Sequence, residues 1–258
     1  MFAIRGTVVR FVLAGLRVGA RKRVLLGILA SAIGAKTSIA ESSEVFSGSN
    51  QNFSASVGFE LLGGGLLQVS LTNTFTGDTP DQGHLLTGVF FAGAGGLNPV
   101  SATAAAGSKQ WSGKSFTAPS SSSVLGTEWA YATSPAPGGA TAGIVSSGYW
   151  TPGFGNFASP GDMLDGSAYG LLSAGYAGSD LDGLQNRIYI QDAMIFVLSG
   201  FSGSLADIGN ITFQYGTALS EQAVPGLVVP EPGSITLLGF GLAGFLGYRR
   251  FKRTDVRA

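Results

Sequence analysis

Between positions 41 and 229, apolar residues occur in short alternating stretches, and no helical period continues for a dozen residues. The clearest stretch is 67–75, where apolar and polar side chains alternate with few exceptions. Successive side chains of a strand point to opposite faces, so this pattern predicts a strand with one buried and one solvated face. Gly, Pro, Ser and Asp separate the stretches, as turns do between strands. We therefore expect an all-β body, folded as an antiparallel, jelly-roll-like β-sandwich.

Other stretches predict further strands on the same grounds. They are residues 53–60, 85–92, 127–133, 187–198 and 211–215, with weaker ones at 111–116 and 169–173. Residues 101–147 are rich in Ala, Ser, Thr, Gly and Pro, a composition that predicts long loops over the sandwich.

Charge is segregated along the chain, although the formal net charge is zero. Residues 41–230 hold three basic groups against thirteen acidic ones, so this part has a net charge of −10. Binding nucleic acid requires clustered Lys and Arg, so we expect no nucleic-acid partner. The absence of cysteine excludes disulfides, thiolate metal sites and a cysteine nucleophile.

The N-terminal segment has the order of a secretory signal. Residues 21–23 are Arg-Lys-Arg, an apolar run follows over 24–35, and Ser38-Ile39-Ala40 ends the segment with small residues. Signal peptidase accepts small residues at the −3 and −1 positions, which predicts cleavage after Ala40. Residues 1–40 are therefore predicted to be a signal peptide with a long basic leader, and residues 41–228 the exported body.

The C-terminal segment consists of a proline-containing motif, an apolar run and a basic cluster. The motif is Val229-Pro230-Glu231-Pro232, and its two prolines favour an extended backbone. The apolar run predicts a transmembrane helix over about residues 233–248 in the inner membrane. By the positive-inside rule, the basic residues that follow it stay cytoplasmic, which places the body on the far side of that membrane. These basic residues are Arg249, Arg250, Lys252 and Arg253.

Residues 229–253 resemble the PEP-CTERM sorting signal, which is also labelled an ice-binding protein C-terminal domain. The Pro-Glu-Pro box at 230–232, the Gly-rich apolar run at 235–248 and the Arg-rich end occur in the family's order. The resemblance implies a surface protein that is transiently anchored in the membrane. It further implies cleavage near the box by an integral-membrane exosortase, and transfer to the cell surface or an exopolysaccharide matrix. Stretches at 71–74, 86–91, 128–132 and 210–217 also resemble a group of exosortase-dependent surface proteins, which implies location and fold type without an activity.

The body shows no motif of an enzyme site. His84 is the only histidine, and no Gly-x-Ser-x-Gly elbow surrounds a serine that it could activate. We therefore expect no catalytic residues and no enzymatic activity.

Two binding sites remain open from the sequence. Carboxylates near turn glycines could bind Ca²⁺, or Asp-Gly could simply form turns, and no other cofactor is expected. These carboxylates belong to Asp162, Asp165, Asp180 and Asp182. Aromatic side chains could stack on sugar rings or pack in the core. These aromatic residues are Trp111, Trp129, Tyr131, Tyr149 and Trp150.

Three functions follow from these patterns, in descending order. The first is a structural or matrix-interacting surface protein, with signal peptidase and exosortase as processing partners and exopolysaccharide as a further one. The second is a carbohydrate-binding or adhesive module. The third, well below the others, is a secreted hydrolase.

Overall fold

A computed structural model describes residues 43–133, 137–146, 155–159, 169–178 and 187–230, together with Gly241 and Phe245. The chain divides into two compact units, Met1–Ala40 and Glu41–Ala258, and all described residues belong to the second. This unit is mostly β. Its strands are β1 (Ser43–Ser49), β2 (Ser54–Gly63), β3 (Leu66–Asn73), β4 (Leu86–Ala92), β5 (Asn98–Ala104), β6 (Lys109–Trp111), β7 (Phe116–Thr117), β8 (Trp129–Ala132), β9 (Ala142–Ser146), β10 (Gly155–Asn156), β11 (Leu171–Leu172), β12 (Tyr189–Gln191), β13 (Ala193–Ser199), β14 (Gly209–Tyr215), β15 (Ala223–Pro225) and β16 (Leu227–Val228).

The helical elements of the described residues are short. The α-helix α1 spans Ser122–Glu128, and 3₁₀ turns span Gln82–His84, Pro137–Gly139 and Leu205–Asp207.

The strands form two sheets. The six-stranded sheet has the order β16-β1-β2-β3-β13-β5, and all of its pairs are antiparallel. The ten-stranded sheet has the order β10-β8-β9-β4-β11-β12-β6-β7, and β14 pairs with both β4 and β15. The pair β11–β12 is parallel and departs from the expected antiparallel pairing, while the other described pairs of this sheet are antiparallel, as expected.

Side chains from both sheets form one core. The rings of Phe59 in the six-stranded sheet and Phe91 in the ten-stranded sheet meet edge to face, with centroids 5.3 Å apart. Trp129 packs on Phe196 across the same core at 5.0 Å. All four side chains are buried. The apolar residues that alternate along the strands are therefore the ones that hold the two sheets in contact.

The strongest alternating stretches form the predicted strands. The stretch 67–75 overlaps β3, 53–60 overlaps β2, 85–92 overlaps β4, and 211–215 lies within β14. The burial of β3 alternates residue by residue, with Leu67, Val69 and Leu71 in the core.

Two predicted strands are interrupted. Residues 127–133 begin within α1, which buries Leu125, and the strand starts only at Trp129. A seven-residue helix is too short to show a helical period. Residues 187–198 divide into β12 and β13 at Asp192, whose φ of 88° turns the backbone out of the extended region.

The prediction of long loops over residues 101–147 is wrong for much of that range. This region contains most of β5 together with β6, β7, α1, β8 and β9. Small residues such as Ala102 and Ala142 are fully buried there, because they fit where neighbouring strands and side chains approach closely. A composition rich in small residues therefore does not by itself indicate turns.

The junction between the body and the C-terminal motif

The last described strand of the body lies beside its first strand. β16 pairs antiparallel with β1, with Phe46 opposite Val228 and Ser47 opposite Leu227. The pairing extends one residue further, because the backbone N–H of Val229 donates to the carbonyl oxygen of Val45 at 2.8 Å. Val229 is the first residue of the predicted sorting motif, and β1 begins shortly after the predicted cut at Ala40. The two ends of the predicted exported body therefore meet at one edge of the six-stranded sheet.

The segment immediately before β16 is held firmly. β15 pairs with β14, and Val224 is buried. The Gly226 N–H donates to the Ile211 carbonyl oxygen at 2.9 Å. A Cβ atom at position 226 would lie only 2.7 Å from Ile211 Cγ2. The close approach thus requires glycine at the point where the chain passes from the ten-stranded sheet to the six-stranded one.

β16 itself is largely exposed. The fractional exposure is 74% for Leu227, 54% for Val228 and 41% for Val229. Pro230 is also exposed, and since proline has no backbone N–H it cannot donate a further hydrogen bond to β1. The pairing with β1 therefore includes Val229, the first residue of the motif.

Most of the predicted site residues lie outside the described residues. Gly241 and Phe245, within the predicted membrane span, are helical. Among the residues that the structure describes, no helix is long and apolar enough to cross a membrane. The sites outside the description are the cut after Ala40, the motif residues Glu231 and Pro232, the basic residues Arg249, Arg250, Lys252 and Arg253, and the calcium candidates Asp162, Asp165, Asp180 and Asp182.

His84 lies in a short turn, where it contacts Asp81 and Phe53. Its Nδ1 lies 2.8 Å from Oδ1 of Asp81, and its ring stacks on Phe53 with centroids 4.9 Å apart. The same Asp81 oxygen accepts a hydrogen bond from the Gly83 N–H and so caps the 3₁₀ turn. Within the described residues, no serine hydroxyl is bonded to His84. The arrangement is a capped turn and lacks the nucleophile of a catalytic triad.

The three described aromatic candidates are core residues. Trp111, Trp129 and Tyr131 are 5%, 0% and 5% exposed, and Tyr149 and Trp150 lie outside the described residues. The Tyr131 hydroxyl donates to the carbonyl oxygen of Ala94 at 2.8 Å, and burial raises the pKa of this tyrosine. Buried rings cannot stack on a sugar, so these three do not form the binding platform that the sequence left open.

A second group of aromatic side chains packs beside the main core. Trp111, Tyr176 and Tyr189 are buried in it, and the ring of Phe116 lies 5.0 Å from that of Trp111. Burial raises the pKa of Tyr189 to about 12, while the positive charge of Arg187 acts in the opposite direction. Burial also raises the pKa of Tyr215 in the main core. These hydroxyls stay protonated at neutral pH and offer no general base.

The described residues contain no group of three His, Cys, Asp or Glu side chains that could hold a metal ion. The calcium candidates named from the sequence lie outside these residues, so that site stays a prediction.

Sequence reasoning missed the β1–β16 pairing, which is the most informative feature of the junction. β16 has two residues, too few to show alternation, and β1 contains three serines and a glycine among its seven residues. The available signal was the apolar triplet 227–229 directly before the prolines.

Comparison with known proteins agrees with the motif at this junction. A family model for the PEP-CTERM protein-sorting motif matches residues 228–250, beginning inside β16. Comparison with the curated proteins and with the solved structures gave no significant match.

Proposed function

We infer that this chain, which carries the PEP-CTERM sorting motif and is thereby an exosortase-targeted, exported surface protein, has a structural or interaction role at the cell surface or in an exopolysaccharide matrix. The observation that carries the proposal is the position of the motif. It begins at the exposed edge of a folded β-body, where Val229, its first residue, still donates a backbone hydrogen bond to Val45 of β1. A protease substrate must be extended, and residues 227–229 are extended with exposed side chains.

The proposed maturation has two cuts. Signal peptidase removes residues 1–40, and the predicted helix 233–248 then holds the chain transiently in the inner membrane, with Arg249 and the following basic residues on the cytoplasmic side. Exosortase cleaves near residues 230–232 and releases the body to the surface or matrix. The motif match supports the second cut, and the sequence order at the N-terminus supports the first.

We further propose that the body is a jelly-roll-like sandwich. The Phe59–Phe91 and Trp129–Phe196 contacts support it, because each joins one sheet to the other. Such a body can supply extended surfaces for interaction with other matrix components.

A non-enzymatic role is part of this proposal. The environment of His84 supports it, since Asp81 serves as a turn cap there. The carbohydrate-binding alternative receives no support from Trp111, Trp129 or Tyr131, because all three are buried.

The proposal is tested by intact-mass measurement and terminal sequencing of the protein recovered from the surface of its native host. The matched variant replaces Pro230, Glu231 and Pro232 with alanine. We expect the wild type to lack both residues 1–40 and the tail, and the variant to keep the tail. A wild-type chain that still carries Arg249–Arg253 would show that the tail is a permanent anchor and that sorting does not occur.

A further inference from the structure

Residues 227–229 are called the release segment below. Their backbone is paired with β1, and a protease that binds them as an extended strand would need the same backbone groups. Their backbone lies in the edge strand of the six-stranded sheet, and the Val229 N–H is bonded to Val45. Proteases commonly bind the residues before the cut as an extended strand, through the same backbone groups that pair strands in a sheet. The backbone groups of one residue that point to β1 cannot at the same time pair with a protease.

We propose that the release segment leaves β1 and pairs with the exosortase during cleavage. The enzyme then binds Leu227, Val228 and Val229 on the N-terminal side of the Pro-Glu-Pro box. This inference rests on the proposed function. It adds an interaction surface whose partner is a strand-binding, apolar cleft in the processing protease. The sheet and the enzyme compete for the same three residues.

The first support is the weak hold of the body on this segment. Two residues, Leu227 and Val228, lie opposite residues of β1. The side chains of all three residues of the segment are at least 41% exposed. Releasing it uncovers less apolar surface than releasing a strand with fully buried side chains such as β2 would, so less hydrophobic stabilisation is lost. Short, exposed edge strands are also the parts of a fold that open most readily.

The second support is the sharp boundary of the movable part. Upstream of the segment, Val224 is 2% exposed, and Gly226 is hydrogen-bonded to Ile211 in β14. Release can therefore proceed from Pro230 back to Leu227 and stop at Gly226 without disturbing the core. About three residues are freed, which span roughly 10 Å when extended.

The third support is the chemistry of the exposed side chains. Leu227 lies opposite Ser47, and Val229 follows it by two residues, so both point to the face of the sheet opposite the core residue Phe46. Exposed Leu and Val side chains suit apolar subsites of an enzyme embedded in the membrane.

A cross-link between β16 and β1 tests the proposal. Ser47 and Leu227 are both exposed and directly opposite one another. Residues opposite one another in an antiparallel pair have Cα atoms about 4.5 to 5.5 Å apart, which a disulfide can bridge. The chain has no cysteine, so the full-length Ser47→Cys/Leu227→Cys precursor contains one defined disulfide.

The matched control joins two strands, β2 and β3, that the proposal does not require to separate during cleavage. Glu60 of β2 lies opposite Gln68 of β3, and their side chains are already bonded at 3.1 Å. We compare the Glu60→Cys/Gln68→Cys precursor with the first variant, each oxidised and reduced, by measuring tail removal in membranes that contain exosortase.

We expect the oxidised Ser47→Cys/Leu227→Cys precursor to lose processing and to regain it on reduction, while the control is processed in both states. Processing of the cross-linked precursor at the wild-type rate would overturn the proposal, because β16 would then remain on β1 during cleavage. Failure of the proposed function itself is distinguishable, since the wild type would then also keep its tail.

Hydrogen exchange of the unmodified full-length chain gives a test that needs no substitution. We expect peptides covering residues 227–229 to exchange at least tenfold faster than those covering Val57 in the central strand β2. Equal protection of the two regions would contradict a releasable segment.

Discussion

The backbone N–H of Val229 donates a 2.8 Å hydrogen bond to the carbonyl oxygen of Val45, and this bond joins the start of the sorting motif to the first strand of the body. The pairing places the motif at the sheet edge without an intervening linker. A flexible linker before the motif would allow its backbone to move away from the body. In the release proposed above, accessibility depends on how firmly β16 is paired with β1.

The close packing of Gly226 predicts a stability change. Replacing Gly226 with alanine would place a Cβ atom 2.7 Å from Ile211 Cγ2, so β14 or the chain at 226 must shift. We expect Gly226→Ala to lower the free energy of unfolding of the mature protein by about 1–3 kcal/mol, as overpacking does. Urea denaturation followed by fluorescence measures it.

The control for this change is Gly209→Ala. A Cβ atom at position 209 would meet nothing within 4 Å, and Gly209 lies in the same strand, β14, as Ile211. We expect a change below about 1 kcal/mol for this variant. Equal effects of the two substitutions would show that the contact with Ile211 does not limit position 226.

Contact between the sheets predicts an energetic coupling. Phe59 and Phe91 meet edge to face at 5.3 Å, each from a different sheet. A double-mutant cycle with Phe59→Leu and Phe91→Leu should give a coupling of about 0.5–1.5 kcal/mol in the free energy of unfolding. Phe59→Leu combined with Phe116→Leu, in the separate aromatic group, should be additive. Zero coupling in the first cycle would contradict a shared core.

Burial of Tyr189 predicts a loss of stability at alkaline pH. Its pKa is about 12 in the folded body, above the ordinary value of 10.0. Below pH 10 the hydroxyl is protonated in both the folded and the unfolded chain, so the full stability is present. As the pH rises toward 12, the unfolded chain ionises first and the free energy of unfolding falls.

We therefore expect Tyr189→Phe to reduce the decline in the free energy of unfolding between pH about 10 and about 12. Urea denaturation at several pH values measures the decline. Phe116→Leu, in the same aromatic group, is the control, because it perturbs packing without removing a titrating hydroxyl. Its decline should match that of the wild type. An unchanged decline in Tyr189→Phe would mean that this hydroxyl titrates normally in the folded body.

The capped turn at His84 predicts a structural role for Asp81. Its carboxylate accepts from the Gly83 N–H and lies 2.8 Å from His84 Nδ1. Asp81→Ala should lower the free energy of unfolding by about 0.5–2 kcal/mol, and Asp81→Asn by less, because asparagine also caps. Tail removal should be unchanged in both variants. A processing defect in Asp81→Asn would show that the carboxylate has a role beyond the cap.

The sequence was most informative where the signal is local. Alternation over 67–75 predicted β3, and the order of prolines, apolar run and basic residues predicted the motif that the family model matches at 228–250. Alternating apolar and polar residues indicate a strand with one buried face. A sorting motif consists of consecutive residues, so the sequence shows it directly. Helix α1 and the break at Asp192 escaped prediction, because each spans too few residues to produce a period.

The aromatic candidates show a different limit. Trp111 and Trp129 were recognised as binding or core residues, but the sequence could not choose between these roles. Their burial results from contacts with residues far along the chain, such as Tyr176 and Phe196. Composition alone cannot report such contacts.

By itself, the sequence determined the β character of the body, the charge separation along the chain and the sorting motif, since each depends on neighbouring residues. Only the tertiary structure decided that β16 pairs with β1, that α1 interrupts the predicted loops and that His84 belongs to a capped turn. Strand pairing joins residues that lie about 180 positions apart, and its free energy comes from contacts that exist only after the chain has folded.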